Sequence, residues 1–251
     1  MFKRERQAEI LSMLEAQGRV AVTDLARRFE VTEDCVRKDL QQLDREGKCR
    51  RVYGGAVSVS ALPTHDVFQR VEDYRQEKEQ IAAKAYALIQ DGQTIFLDIS
   101  TTNLYLARLL AASGRRIIVV SNMLDVLKTV AADAGISAQC PGGQVNAELN
   151  GLVGAVAVES LRNQHFDLAF MGTLVLDPEG DRVTTFDQED GLTKRAAMAS
   201  AEHTYLMADS HKFMTHGGYR YGKLSEFTGL ITDDRRPESC DAVRQLGIEV
   251  L

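Results

Sequence analysis

The stretch 19–56, RVAVTDLARRFEVTEDCVRKDLQQLDREGKCRRVYGGA, constrains the fold more than any other part of the chain. Two short apolar-periodic segments flank a tight turn, and a basic, glycine-closed ribbon follows. Leu25, Ala26 and Phe29 give the first segment a face to bury, and Thr23 is placed to cap its start. Glu30 and Val31 make the turn, with Val31 pointing inward. Thr32 then caps a second helix, in which Val36, Leu40 and Leu43 form one stripe at i, i+4, i+7. The opposite face carries Arg37, Lys38 and Gln41. That pattern predicts a helix-turn-helix whose second helix offers cationic and amide groups at major-groove depth. Lys48, Arg50 and Arg51 precede Tyr53-Gly54-Gly55, the composition of a wing lying along phosphates.

An ordinary three-helix bundle with a solvated charged face has the same periodicity, so charge must separate the two. Residues 1–55 hold 12 Lys and Arg against 10 Asp and Glu; the rest hold 18 against 26. The balance is therefore +2 in the motif and −8 elsewhere, within a chain of net charge −6. A basic excess confined to the motif is the footprint of DNA contact by one module.

Length and residue usage bound the remainder. A chain of 251 residues accommodates one small domain and one with a full-sized core. With 44% hydrophobic residues and four prolines it reads as a soluble globular chain. No run approaches a membrane span, and MFKRERQAEI has the charge of a helix start, not of a signal peptide. The cysteines, at 35, 49, 140 and 240, and the five histidines lack metal-ligand or redox spacing. Free thiols in the cytoplasm are expected, with no metal, no cofactor and no membrane partner.

The expected division is a winged helix-turn-helix domain over 1–56, a linker over 57–75 and an α/β domain over 76–251. A first helix, Lys3–Gln17, packs Ile10, Leu11 and Leu14 under the motif; the linker turns helical towards Phe68 and Val71. Beyond it, helices over 80–88, 104–112 and 123–132 alternate with apolar strands over 94–97, 116–120 and 136–139. Further strands are read at 168–171, 205–208, 229–232 and 249–251. Such alternation implies βαβ units and a mostly parallel sheet.

Ligands of parallel sheets bind beyond the carboxyl ends of the strands. At the first such end, Asp98-Ile-Ser-Thr-Thr crowds one acid and three hydroxyls into a strand-to-helix turn. Hydroxyls and backbone N–H groups at a helix start suit phosphate, although a capping turn with surplus hydroxyls uses the same residues. Ser121-Asn122, Gly142-Gly143, Gly172-Thr173 and Asp209-Ser-His-Lys212 end other strands. A polyol phosphate fits the set, with Asp98 and Asp209 for sugar hydroxyls and Lys194 or Lys212 for charge.

The run VTDLARRFEVTEDCVRKDLQQLDREGKCRRVYGGA resembles the N-terminal signature of the DeoR family of bacterial sugar-metabolism repressors. The resemblance rests on VRKDL, the following L-D-x-x-G, and RVYGGA. It implies operator contact through Thr23, Thr32, Cys35, Arg37, Lys38, Gln41, Arg50, Arg51 and Tyr53. Cys35 stands where the family usually has Thr, and Tyr53 where it often has His. Downstream, FLDISTTNLYLARLL, VSNMLDV, PGGQVN, GLVGAVA, FDLAFMGT, TTFDQEDGLTKRA and LMADSHKF resemble the family's sensor domain. That domain is related in fold to ribose-5-phosphate isomerase and the glucosamine-6-phosphate deaminases. Carried over, the phosphate loop is Asp98, Ser100, Thr101 and Thr102. Gly142, Gly143, Gly172, Asp187, Lys194, Asp209 and Lys212 line the pocket, beside Ser121 and Asn122. Ser100 replaces a usual Gly and is expected to restrict the loop. Thr173-Leu-Val-Leu replaces a smaller segment, and Gly191 interrupts a helix.

The expected protein is a repressor of a carbohydrate operon, released from its operator by a phosphorylated sugar or polyol. It is expected to work as a homo-oligomer, because one module reads only a half-site. The alternative is a sugar-phosphate isomerase or deaminase carrying a DNA-binding domain. Its proton transfer needs a placed carboxylate, for which Asp167, Asp187 and Glu189 are available. Asp167 is followed by Leu-Ala-Phe where the related isomerases carry further acids, so no enzyme is expected.

Overall fold

Backbone contacts divide the chain into two units, 1–64 and 65–251. The computed structural model describes all residues except 1–2, 18, 47, 53, 59–66, 214–216 and 235–236. At 4, 15–17, 19, 50, 52, 57–58, 68–69 and 237–238 it describes the backbone alone.

In the first unit, α1 (Lys3–Gln17) leads to a strand the sequence did not announce, β1 (Arg19–Ala21). Then come α2 (Val22–Phe29), α3 (Glu33–Arg45), β2 (Cys49–Val52) and β3 (Gly55–Ser58). The strands form one antiparallel sheet in the order β1-β3-β2. Because β1 runs straight into α2, the cap position falls on Ala21, and Thr23 lies inside the first turn instead of capping it. The wing supplies the missing acceptor: Val22 N–H donates to Gly54 O at 2.7 Å. Thr32 does cap α3, its hydroxyl accepting from Cys35 N–H at 3.3 Å. Glu30, at φ +54, closes the turn between the helices.

Ile10, Leu14, Leu25, Val36, Leu40 and Leu43 fill the core of this unit. A buried ion pair ties α1 to α3, with Arg6 Nε 2.5 Å from Asp39 Oδ2. Gln7 donates to the other Asp39 oxygen at 3.3 Å. A small core gains orientation from that pair; the amino acid before Leu40 in VRKDL faces inward, not outward.

The second unit opens with α4 (Val67–Arg70) and α5 (Arg75–Leu88), so the expected linker is partly helical. It continues with β4 (Thr94–Leu97), α6 (Thr101–Ala111), β5 (Ile117–Ser121), α7 (Leu124–Val130) and β6 (Ile136–Gln139). Next are β7 (Gln144–Asn146), β8 (Gly151–Val153), α8 (Ala155–Arg162) and β9 (Phe166–Gly172). The chain then forms β10 (Val175–Asp177), β11 (Arg182–Thr185), α9 (Gln188–Ala199) and β12 (Ala201–Met207). It ends with β13 (Tyr219–Gly222), β14 (Gly229–Ile231), α10 (Pro237–Gln245) and β15 (Glu249–Val250).

Among the described residues, seven strands form a parallel sheet in the order β15-β14-β12-β9-β4-β5-β6. Both faces are covered. Ile95 and Leu97 point into one apolar layer with Ile81, Leu106 and Val126; Phe96 points into another with Leu161, Ala197 and Val243. Burial on both sides is why TIFL and IIVV read as unbroken apolar runs. A second, antiparallel sheet, β10-β11-β13, and the β7–β8 hairpin stand outside this pattern. Among the described residues, no helix is long and apolar enough to cross a membrane.

Candidate functional site

On the first unit, the outward face of α3 exposes Arg37, Lys38 and Gln41. Both cations are paired within the helix, Arg37 with Glu33 at 2.5 Å and Lys38 with Asp34 at 2.8 Å. The Lys38 ammonium, by hydrogen bond and charge, holds the Asp34 carboxyl below its ordinary value. Exposed pairs at this spacing contribute little, so a phosphate or base edge displaces them at little cost. Thr23 and Thr32 are exposed at the starts of the two helices. Cys35 is half-buried, with Sγ 3.2 Å from the guanidinium of Arg6 that also holds Asp39. Arg51 is exposed on β2, and its N–H donates to Asp44 at 3.1 Å. Tyr53 and the side chain of Arg50 lie outside the described residues.

In the second unit, polar groups gather where the parallel strands end. Asp98, after β4, is fully buried. One oxygen accepts from Gly172 N–H at 2.7 Å and from Lys194; the other accepts from Asn103 Nδ2 at 2.8 Å. Asn103 also donates to Phe170 O at 2.8 Å, so α6 is pinned to β9 through this one amide. Lys194 reaches in from α9 with only 2% of its surface exposed, and its ammonium lies 3.7 Å from Asp190. Thr185, at the end of β11, donates its hydroxyl to Asp190. Burial pushes the Asp190 carboxyl up, and Lys194 only partly offsets it. Burial works against the Lys194 ammonium, but Asp190 and Asp98 outweigh it and raise its pKa. Tyr221 closes the cluster, donating to Gly172 O at 2.9 Å.

The hydroxyl loop sits beside this charge cluster. Ser100 has φ −154, an ordinary extended backbone, and its hydroxyl caps α6 by accepting from Thr102 N–H at 3.2 Å. The expected restriction of the loop is therefore absent. The Ser100 side chain instead fills the space over Gly172, where an added Cβ would stand 2.6 Å from its Oγ. Thr101 and Thr102 form the first turn of α6. Both are buried, and neither hydroxyl has a hydrogen-bond partner among the described residues. Ser121 is engaged structurally, donating to Leu97 O at 2.7 Å and accepting from Met123 N–H at 3.0 Å. Asn122 donates to Leu152 O at 3.2 Å. The carbonyl oxygens of Asn103 and Asn122 and one oxygen of Asp190 are buried with no donor among the described residues.

The remaining predicted positions are more dispersed. Gly142 and Gly143, between β6 and β7, have φ of +74 and +116, values that favour glycine. Asp187 caps α9, accepting from Asp190 N–H at 2.8 Å. Asp209 is buried after β12 and accepts from His211 N–H at 3.0 Å. Lys212 is half-buried, and its ammonium has no hydrogen-bond partner among the described residues. Charged groups near this loop include Lys78, Arg70, Asp73 and Asp233, the last accepting from Ser210 N–H at 2.8 Å. Sequence reading missed Asn103, Asp190 and Tyr221. The i, i+4 pair Asp190 and Lys194 on one helix face was the available signal for the second of these.

Gly191 lies on α9 within this packing. An added Cβ would stand 2.4 Å from Cδ1 of Tyr219, so the glycine exists to seat that ring. Alanine gains about 1 kcal/mol over glycine inside a helix, while overpacking costs about 1–3 kcal/mol. Gly191→Ala is therefore expected to lower the urea midpoint of the full chain. In a Tyr219→Ala background the same change should raise it, and a loss in both backgrounds would refute the seating role.

The carboxylates required by an isomerase are not assembled. Asp167 lies at the opposite, amino-terminal end of the sheet and accepts from Thr94 N–H at 2.7 Å. Its near neighbours there are His165 and Glu202, with potential ligand atoms within 4.8 Å of one another. Glu189 is exposed, and Asp187 is used as the helix cap.

Residues 6–61 match the DeoR-like helix-turn-helix domain, and residues 73–234 match the DeoR C terminal sensor domain. The chain is 31% identical to the HTH-type transcriptional repressor GlcR of Bacillus subtilis, across all of this chain and 96% of that one. It is 30% identical to the glycerol-3-phosphate regulon repressor of Escherichia coli K12, across 95% and 94% of the two chains. Among solved structures, ribose 5-phosphate isomerase A of Methanocaldococcus jannaschii aligns with a TM-score of 0.41 and 14% identity, covering 56% of this chain and 55% of that one.

Proposed function

The chain belongs to the DeoR family of transcriptional regulators of sugar metabolism, and on that premise we propose how its two units divide the work. It is a repressor and not an enzyme. The first unit holds operator DNA with α3 in the major groove and the wing along the backbone, and the second unit takes up a phosphorylated sugar or polyol that ends the hold. For this to regulate, the effector must bind the DNA-incompetent arrangement more tightly than the competent one.

One observation carries the sensing half. Among the described residues, the hydroxyls of Thr101 and Thr102 and buried oxygens of Asn103, Asn122 and Asp190 stand without partners, at the strand ends where a lysine is held between two acids. A buried acceptor without a donor costs about 1–3 kcal/mol, and the hydroxyls of a sugar are donors of the right kind. Phosphate oxygens in turn suit the start of α6, where backbone N–H groups lack intrahelical acceptors. Asp98 acts here as the anchor for Lys194, because its own oxygens are already engaged. Asp209 and Lys212 supply a second polar edge.

Phosphorylated sugars fit this set better than free sugars, because the loop offers donors beyond those that ring hydroxyls use. A homo-oligomer is the working form, since a single winged module covers one half-site and operators pair two. Arg37 and Gln41 are the base-reading residues, with Thr23, Thr32, Lys38, Arg50, Arg51 and Tyr53 on phosphates and Cys35 at the edge of the contact. Arg37→Ala should weaken specific binding by about 1–3 kcal/mol, the worth of one good bidentate base contact. The check is an anisotropy titration against a DNA site selected from a random-sequence pool by the wild type. Equal affinity of Arg37→Ala and wild type would overturn this placement of α3.

A further inference from the structure

The chain passes from the first unit to the second between Thr64 and His65, and the segment 67–74 is the first described part of the second unit. It is only one short helix and a bend, yet it is clamped from several directions. Val67 N–H donates to Glu148 O at 3.1 Å, on the turn between β7 and β8. The Arg70 guanidinium lies 4.4 Å above the ring of Phe186, the residue before Asp187. Tyr105, one turn into α6 from Thr101, donates its hydroxyl to Val71 O at 3.1 Å. The ring of Tyr74 stacks on His211 at 3.6 Å, in the same turn as Asp209 and Lys212. Except for Glu148, each of these partners lies on or next to an element that carries effector-site residues.

The central hold is made by Lys78. Its side chain is almost fully buried, and Nζ donates to Arg70 O at 2.6 Å and Val71 O at 3.5 Å. Burial lowers its pKa to about 8; Lys212 and Arg70 add to that, and Asp209 and Asp73 oppose it. The Tyr74–His211 stack sets the start of α5 against the turn that carries Lys212, whose charge acts on Lys78; Lys212 is itself lowered by burial, and its ammonium has no hydrogen-bond partner among the described residues. Lys78, Lys212 and Arg70 outnumber the two carboxylates that act on both ammonium groups, buried Asp209 and exposed Asp73, and that positive excess favours an anion.

We propose that Lys78 is a positioning residue that couples effector to operator: an anionic effector group held by Lys212 draws Lys78 Nζ off the carbonyls of Arg70 and Val71 and frees the segment 67–74. The proposal rests on the reading that the Asp209–Lys212 turn edges the effector site. It gives that site a way to act, because the freed segment is the one through which the second unit is joined to the DNA-binding unit. Tyr74 favours release as well, since it holds a left-handed backbone at φ +52 that a non-glycine residue adopts only under restraint.

The test is hydrogen exchange of the full chain, read on peptides covering 67–74 and 98–103, with operator occupancy measured in parallel. The probes are glycerol 3-phosphate and glucose 6-phosphate, each against inorganic phosphate. In the wild type, a phosphate ester that protects 98–103 should speed exchange in 67–74 about tenfold, the effect of one lost hydrogen bond to a charged group. Lys78→Met should show that faster exchange without any probe and bind operator more weakly. It should still protect 98–103 when the ester is added, yet change operator occupancy less than about twofold. Tyr105→Phe, which removes a hold without removing charge, should loosen 67–74 but keep its response to the ester. Unchanged exchange of 67–74 in Lys78→Met, or slower exchange on ester binding to the wild type, overturns the coupling role. Failure of every ester to protect 98–103 in the wild type overturns the effector reading instead, and the release step with it.

Discussion

Lys194→Met is expected to destabilise the second unit by about 3–5 kcal/mol, because it leaves two carboxylates buried without their cation. Asp98 and Asp190 have no route to water: each is at most 1% exposed. Asp98 would keep its hydrogen bonds from Gly172 N–H and Asn103, which stabilise its charge but do not neutralise it. Asp190 already has a raised pKa from burial, and without Lys194 it would rise further and take up a proton. The pH dependence follows in sign. A lysine whose folded pKa is raised contributes fully below its ordinary value of 10.5 and loses that contribution as pH climbs through the raised folded value. Asp190 runs the other way from most carboxylates: its raised folded pKa makes stability fall as pH rises above the ordinary value of 3.8. Urea unfolding of wild type, Lys194→Met and Lys194→Met/Asp98→Asn measures the effect. The double variant removes the unpaired charge and should recover part of the loss. Equal stabilities of single variant and wild type would mean that the pair is not buried as described.

The Thr101→Val/Thr102→Val variant should behave in the opposite manner, with stability nearly intact and response abolished. Ser100, not either threonine, caps α6, so the helix start survives the change. Val matches the shape of Thr, and among the described residues neither hydroxyl holds a partner whose loss would be felt. What disappears is the pair of hydroxyl donors available to a phosphate. Hydrogen bonds to a charged group contribute about 1.5–3 kcal/mol each, so two of them correspond to an affinity loss of about 100-fold or more. The variant should fill its operator like wild type and stay there at effector concentrations that release wild type. A normal response would make the loop an ordinary capping turn.

The elements legible in the sequence were those whose pattern follows from burial alone. β4 and β5 announced themselves as apolar runs, since both faces of a parallel sheet are covered, and α3 by its stripe and the Thr32 cap. Elements stabilised by partners distant in sequence stayed hidden. β1 exists because Arg19, Val20 and Ala21 pair with Val57, Ala56 and Gly55, and nothing local marks those three residues as a strand. The same pairing moved the cap of α2 from Thr23 to Ala21. In the second unit, the hydroxyl-rich turn after β4 was visible as composition, but the charge cluster beneath it was not. Lys194 meets Asp98 across 96 residues of chain, and Asn103 reaches Phe170 across 67. Ser100 was read as a constraint on its own backbone; its actual role is steric, over Gly172, and only the tertiary fold shows that. Asp39 was likewise passed over, because an acid amid exposed charges gives no local sign of facing inward to Arg6.

The claim that one chain both holds DNA and senses a phosphorylated sugar is tested most directly by operator occupancy of the full-length protein. A fluorescent site selected from random DNA would be titrated at fixed salt, alone and with pentose, hexose, amino-sugar and glycerol phosphates and their unphosphorylated counterparts. The account predicts tight, specific binding that at least one phosphate ester reverses by about tenfold or more, with no turnover of that ester and no effect of the matching free sugar. Binding that no phosphate ester alters, or that the free sugar alters equally, would contradict it.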